Sequence, residues 1–169
     1  MTTAKPSRSC PRIRRMTVRD LKQVVAIEAA CFGSDAWPRQ AFTEMLRAFG
    51  QARPTRGGLW VAEDPGTGEV VGYAGIEVSA LRGEVDIINI AVAEAHRRRG
   101  VGRALLRWIV RVCRRSGAEL LWLRVRASNR GARRFYRRMG FQQRGRFTAY
   151  YRDPDEAAIL MGMDLPPPH

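Results

Sequence analysis

The chain is poor in lysine, histidine and cysteine. Lys5 and Lys22 are its two lysines, against 28 arginines among 169 residues. His96 and His169 have no ligating partners at metal-binding spacing, so no metal is expected. Cys10, Cys31 and Cys113 are odd in number, lie far apart and form no CxxC pair. That argues against a disulfide framework and for a reducing compartment, the cytoplasm. There is no apolar run of about 18 residues, so no transmembrane helix is expected. The opening MTTAKPSRSCPR lacks the apolar core of a secretory signal. No internal repeat is visible. The expectation is one domain over residues 12–165, with a disordered extension at 1–11 and a loose tail at 166–169.

What is abundant is positive charge. The net charge is +14 and the isoelectric point about 11.3. Such a field attracts polyanions. Two other readings stand beside that one. An arginine-for-lysine bias follows from genome base composition, and solvated helix faces carry such charges. Arg103, Arg107 and Arg111 recur every four residues and form one exposed helical stripe.

The most informative stretch is NIAVAEAHRRRGVG, running into RALLRWIV. An apolar strand stops, a basic loop with Gly100 and Gly102 follows, and an amphipathic helix begins. Free backbone N–H groups and the positive end of the helix dipole then face one point, which suits a diphosphate. Two glycines at a helix start also occur in many plain loops. No Gly-Lys-Ser/Thr follows, so this is not a Walker loop, and the dinucleotide fingerprint is incomplete. The downstream context decides. ELLWLRVRASN reads as a buried strand ending at a helix cap, Ser128 or Asn129, and RGARRFYRRMGF as a short helix stopped by Gly140.

Hydrophobic spacing fills in the rest. Strands are expected at 12–16, 59–63, 69–78, 84–92, 119–127, 141–151 and 157–164. Thr17 is expected to cap a helix with Leu21, Val24, Val25 and Ile27 inward. Pro38 suits the first position of a second helix, with Phe42, Met45, Leu46 and Phe49 inward. Loops fall at 51–58 and at Arg82-Gly83. A helix over 100–116 faces the sheet with Val101, Leu105, Leu106, Ile109 and Val110.

Together these segments resemble the GNAT superfamily of N-acetyltransferases. RRRGVG matches that family's pyrophosphate loop, and Asn129 with FYRRMGF its Asn…Tyr…Gly-Phe signature. NIAV, WLRVRASN and the tail YYRDPDEAAILMGMDL resemble the RimI-type ribosomal-protein-alanine N-acetyltransferases. The resemblance implies an α/β (α+β) fold. A mixed, mostly antiparallel sheet is splayed between two central parallel strands and flanked by about four helices. It implies acetyl-CoA as co-substrate. Backbone groups of Arg97, Arg98, Arg99, Gly100, Val101, Gly102 and Arg103 would hold the pyrophosphate. Ile90, Ala91 and Val92 would offer main-chain groups to the pantetheine arm, and the Val92 N–H would stabilise the oxyanion of the tetrahedral intermediate. Asn129 would contact the coenzyme, and Tyr136 would protonate the leaving thiolate. As plain structure, Asn129 is a helix cap and Tyr136 a core tyrosine. Trp37 and Tyr150 are candidates for holding the acceptor.

One position departs from the pattern. RimI-type enzymes carry a glutamate as general base where this chain has Arg124. Guanidinium has no acceptor and stays protonated, so Arg124 cannot take that role. Asp86, and behind it Glu84, are the candidate replacement bases, or they simply pair with Arg124. Arg124 could also grip an acidic group of the acceptor. An α-amine, with an unperturbed pKa of about 8, tolerates a lost base better than lysine at about 10.4. The expected function is therefore acetylation of a protein N-terminus, ribosomal by resemblance, with RNA contact through the basic surface and no membrane partner. Two other readings are an acetyltransferase of a small amine, and a coenzyme-binding module without turnover.

Overall fold

Apolar residues on both sides of the central strands give the sheet two buried faces, and the helices cover both. The computed structural model describes residues 10–50, 56–81 and 83–166. In chain order these form β1 (Arg12–Arg15), α1 (Leu21–Phe32), α2 (Arg39–Phe49), β2 (Gly57–Glu63), β3 (Val70–Val78) and β4 (Glu84–Val92). Then follow α3 (Val101–Arg115), β5 (Leu120–Arg126), α4 (Arg130–Arg138), β6 (Gln142–Arg152) and β7 (Asp155–Asp164). The strands make one sheet of order β1-β2-β3-β4-β5-β7-β6. Every neighbouring pair is antiparallel except β4–β5.

α1 and α2 pack on one face, where Leu21, Val24 and Phe42 meet Leu59, Val61 and Tyr73. α3 and α4 pack on the other, where Leu105, Leu106, Ile109 and Tyr136 meet Leu121 and Leu123. Residues 59–62 show the alternation: Leu59 and Val61 join the first cluster, Trp60 and Ala62 the second. Cys113 extends the inward stripe of α3 by one turn.

The helix starts differ from expectation at two places. Thr17 and Asp20 form a capping box on a 3-10 turn, Val18–Asp20, and α1 begins after it. Pro38 is the N-cap of α2 and lies outside its first turn, in extended conformation. Of the α2 face, Phe42 is fully buried, while Met45, Leu46 and Phe49 are partly buried against the same core. The expected extension, the loop at 51–58, the turn at Arg82 and the tail fall wholly or partly outside the described residues.

The central feature is the parting of β4 and β5. They pair only from Glu84↔Leu120 to Ile87↔Leu123. Beyond that, β4 stays on β3 as far as Val92, and β5 stays on β7 as far as Arg126. A bulge in β4 opposite Gly75 and Ile76 lies at this point, and bulges bend the strand that carries them. The result is a V-shaped gap edged by main chain.

Candidate active site

The apex of the gap is set by the register, and its two edges by hydrogen-bond alternation. Ala93 N–H donates to Val71 O at 2.9 Å. In an antiparallel ladder, alternate residues bond to the same neighbour, so Ala91, opposite Tyr73, turns its groups to β3. Ile90 and Val92 turn theirs to the gap. This corrects the expectation for Ala91: its main chain is committed, and it contributes a buried side chain to the α1–α2 core.

At the wide end of the gap β4 runs into the basic loop. Arg98 and Gly100 both have left-handed backbone conformations, φ 59° and 88°. That turn leaves the backbone N–H groups of residues 98–103 without a partner among the described residues. The first turn of α3 supplies the last three, so the dipole of α3 adds positive potential at the same place. A Cβ on Gly102 would meet Phe135 at 3.6 Å and Val92 at 3.7 Å, which is ordinary contact. A cradle of unpaired N–H groups beside an open strand edge fits a diphosphate with an extended arm. Arg97 departs from this role, because its backbone N–H already donates to Glu94 O at 3.1 Å. Its Nε donates to Val92 O at 3.2 Å and its Nη2 lies 3.3 Å from Cys31 Sγ.

On the α3–α4 side, Tyr136 is 8% exposed, between Phe135 and Phe141. Burial, and then the neighbouring Tyr151, raise its pKa above the ordinary phenol value, so the hydroxyl keeps its proton. Asn129 caps α4, accepting from Ala132 N–H at 3.0 Å, which leaves its Nδ2 free of that bond.

The α1–α2 side of the gap holds the charged candidates. Arg124 Nη1 donates to Asp86 Oδ1 at 3.0 Å. Trp122 Nε1 donates to Glu84 at 3.0 Å. Glu84 pairs at the far end of the parallel stretch, about 10 Å of strand before Ile87, so it lies away from the gap. Arg124 is the first β5 residue past that stretch. Its guanidinium lies 5.9 Å from the Phe147 ring, and Phe147 in turn touches Tyr150, which is 48% exposed. Tyr150 sits in an irregular stretch of β6 where Ala149 has φ 51°. Arg126 is spent by contrast: it donates to Asp35, Glu156, Asp153 O and Pro154 O, tying the α1–α2 connection to the β6–β7 hairpin.

Sequence reading passed over Glu28, which sits on the buried face of α1 and is 0% exposed. Its carboxylate accepts from the Tyr73 hydroxyl, from Trp37 N–H at 3.0 Å, and from Asn89 Nδ2 at 3.0 and 3.1 Å. Burial raises its pKa above 4.5, and the donors only partly offset this. A glutamate inside an apolar helix stripe was the available signal. Glu28 holds Trp37 and Asn89, one on the α1–α2 connection and one beside the β4 bulge. Trp37 itself is half-buried against Phe42.

A splayed parallel pair leading into an anion-binding helix start is the framework of the acetyl-CoA-dependent acyltransferases. Residues 21–141 match the acetyltransferase (GNAT) family model, and the chain belongs to that family. It is an acetyltransferase, and the family uses acetyl-CoA. It is 34% identical over 155 residues to the N-alpha-acetyltransferase RimI of Mycobacterium tuberculosis, covering 90% of this chain and 91% of that protein. The crystal structure of the ribosomal-protein-S18-alanine N-acetyltransferase from Escherichia coli superimposes with a TM-score of 0.79 at 27% identity. That match covers 94% of this chain and 96% of the other. The streptothricin acetyltransferase of Streptomyces lavendulae is 38% identical over 102 residues, 59% of this chain and 54% of that protein. Among the described residues, no helix is long and apolar enough to cross a membrane.

Proposed function

We propose that the protein acetylates the N-terminal α-amine of a protein, with a ribosomal protein as acceptor, in the cytoplasm. One observation carries this reading: the carboxylates beside the gap are already engaged. Asp86 is held by Arg124, and Glu28 is sealed behind Tyr73, Trp37 and Asn89. A site with no uncommitted base favours an amine that is partly unprotonated near neutral pH. An α-amine with a pKa near 8 meets that condition, and a lysine near 10.4 does not. The relatives named for N-alpha and bS18-alanine acetylation support the same class.

The roles follow from position. The backbone N–H groups of residues 98–103 would hold the coenzyme diphosphate. The open edge at Ile90 and Val92, with Asn129, would hold its arm. Acetyl-CoA supplies the acetyl thioester. The Val92 N–H faces the gap as a donor for the oxygen that gains charge during transfer. Tyr136, kept protonated by burial, donates to the departing sulfur. Trp37, Phe147 and Tyr150 line the acceptor side. Asp86, held by Arg124 at the end of the parallel stretch, is the candidate to relay the amine proton through water. Incubation with labelled acetyl-CoA and ribosomal proteins, followed by mass spectrometry, tests the reading; acetyl on an N-terminal residue supports it.

The streptothricin acetyltransferase match favours a second reading, a small-molecule amine. The same assay with polyamines and aminoglycosides separates the two.

A further inference from the structure

The charges of this protein are segregated by face, and that segregation is not explained by a preference for arginine over lysine. Residues 95–118 hold eight arginines and no aspartate or glutamate, and so do residues 127–152. α3 and α4 lie within these stretches, on the same face of the sheet, and each carries five arginines. Nine of those ten are exposed and Arg133 is half-buried. None of these ten takes part in an ion pair among the described residues, whereas Arg144 of the second stretch pairs with Asp164 on β7. A base-composition bias would supply arginine everywhere but would not clear one face of acids. The acidic residues of β4, Glu84 and Asp86, lie on the opposite face.

We propose that the outer face of α3 and α4 is a docking surface for structured RNA, centred on Arg107, Arg111, Arg134 and Arg137. Guanidinium matches phosphate in two-point contacts, and unpaired exposed guanidinium groups have donors to give. Successive arginines of the α3 stripe stand about 6 Å apart along the helix, close enough to follow a phosphate backbone. The face has no apolar anchor for a lipid bilayer: among the described residues the exposed large apolar side chains, Val18, Val78, Leu81, Phe147 and Tyr150, all lie on other elements. The choice of RNA over DNA rests on the reading of a ribosomal acceptor, a class of protein that assembles with RNA. The acetyl-transfer end of the molecule then stays free for the acceptor while the opposite helical face is anchored.

The test is a titration of the whole protein with a labelled RNA hairpin at several salt concentrations, with acetyl-CoA saturating. The coenzyme loop is then filled and cannot itself provide the RNA site. The expected result is binding whose logarithm falls with log salt at a slope of about −3 or steeper, each phosphate contact contributing roughly −0.9. The combined variant Arg107→Gln, Arg111→Gln, Arg134→Gln and Arg137→Gln should bind at least about tenfold more weakly, with a shallower slope. Its turnover of a free N-terminal peptide should be unchanged, which also shows that it folds. Four results overturn the proposal: salt-insensitive binding by the wild type, equal binding by the variant, displacement of RNA by acetyl-CoA, or equal affinity for duplex DNA or phosphatidylglycerol vesicles. RNA binding is read without acetyl transfer, so failure of the acceptor reading would leave a different signature: RNA bound, ribosomal proteins untouched.

Discussion

Gly102 shows how finely a single position can be tested. A Cβ there meets Phe135 and Val92 only at ordinary contact distance, so Gly102→Ala should be mild. Gly102→Asp places a carboxylate among unpaired N–H groups meant for phosphate, and should weaken acetyl-CoA binding by tenfold or more, roughly 1.4 kcal/mol. Calorimetry on both variants checks this; equal losses would mean that bulk rather than charge is at fault. Tyr136→Phe keeps the ring packing against Phe135 and Phe141 and removes only the hydroxyl proposed to protonate the leaving sulfur. Its kcat should fall by about 100-fold with coenzyme affinity nearly intact. Full turnover in a chemistry-limited assay would make Tyr136 a packing residue. Asp86→Asn removes the carboxylate that Arg124 now holds. If Asp86 relays the proton, turnover drops and is partly restored as pH rises toward the acceptor's own pKa. An unchanged pH–rate profile would leave Asp86 as a clamp for Arg124.

At the scale of elements, α1 is tied to β3, β4 and the α1–α2 connection by a buried carboxyl group. Glu28 has its folded-state pKa raised by burial, so the fold favours its protonated form. The associated stabilisation is complete below the ordinary value of 4.5 and is lost as pH rises through the folded-state value. Glu28→Gln should therefore flatten the decline of stability above pH 4.5, read from denaturant midpoints across pH. A slope equal to wild type would assign that decline elsewhere. Glu28→Ala leaves the Tyr73 hydroxyl and Asn89 amide unpaired, at a cost of about 1–3 kcal/mol. Elements with one clean signal were legible in the sequence: β4 into the glycine loop, α3 with its apolar stripe, and α4 between Asn129 and Gly140. Features set by register were not. That Ala91 faces β3 and Val92 the gap depends on which alternate residues pair, and that Glu84 lies far from the gap depends on where the parallel pairing ends. Residue type alone makes Pro38 and Thr17 simple helix starts, because a one-residue shift in a cap is decided by backbone geometry. The Glu28 network joins three elements distant in sequence, so no local pattern announces it.

At the scale of the molecule, two faces divide the labour. The gap between β4 and β5 opens through the sheet: the phosphate cradle and Tyr136 belong to the α3–α4 side, while Arg124, Phe147, Tyr150 and Trp37 crowd the other. On the proposed function an acceptor would approach from the side where acids and aromatic rings mix, with the arginine-rich face of α3 and α4 pointing away from it. The central claim is that a terminal α-amine, rather than a side-chain or small-molecule amine, takes the acetyl group. The most direct measurement offers the protein acetyl-CoA and equal amounts of three acceptors at neutral pH. These are a peptide with a free N-terminus and an internal lysine, the same peptide with its N-terminus blocked, and a polyamine. Mass spectrometry then locates the product. The account predicts acetyl on the α-amine of the first peptide, with the blocked peptide and the polyamine left unmodified. Acetyl on the lysine of the blocked peptide, or on the polyamine alone, would contradict it.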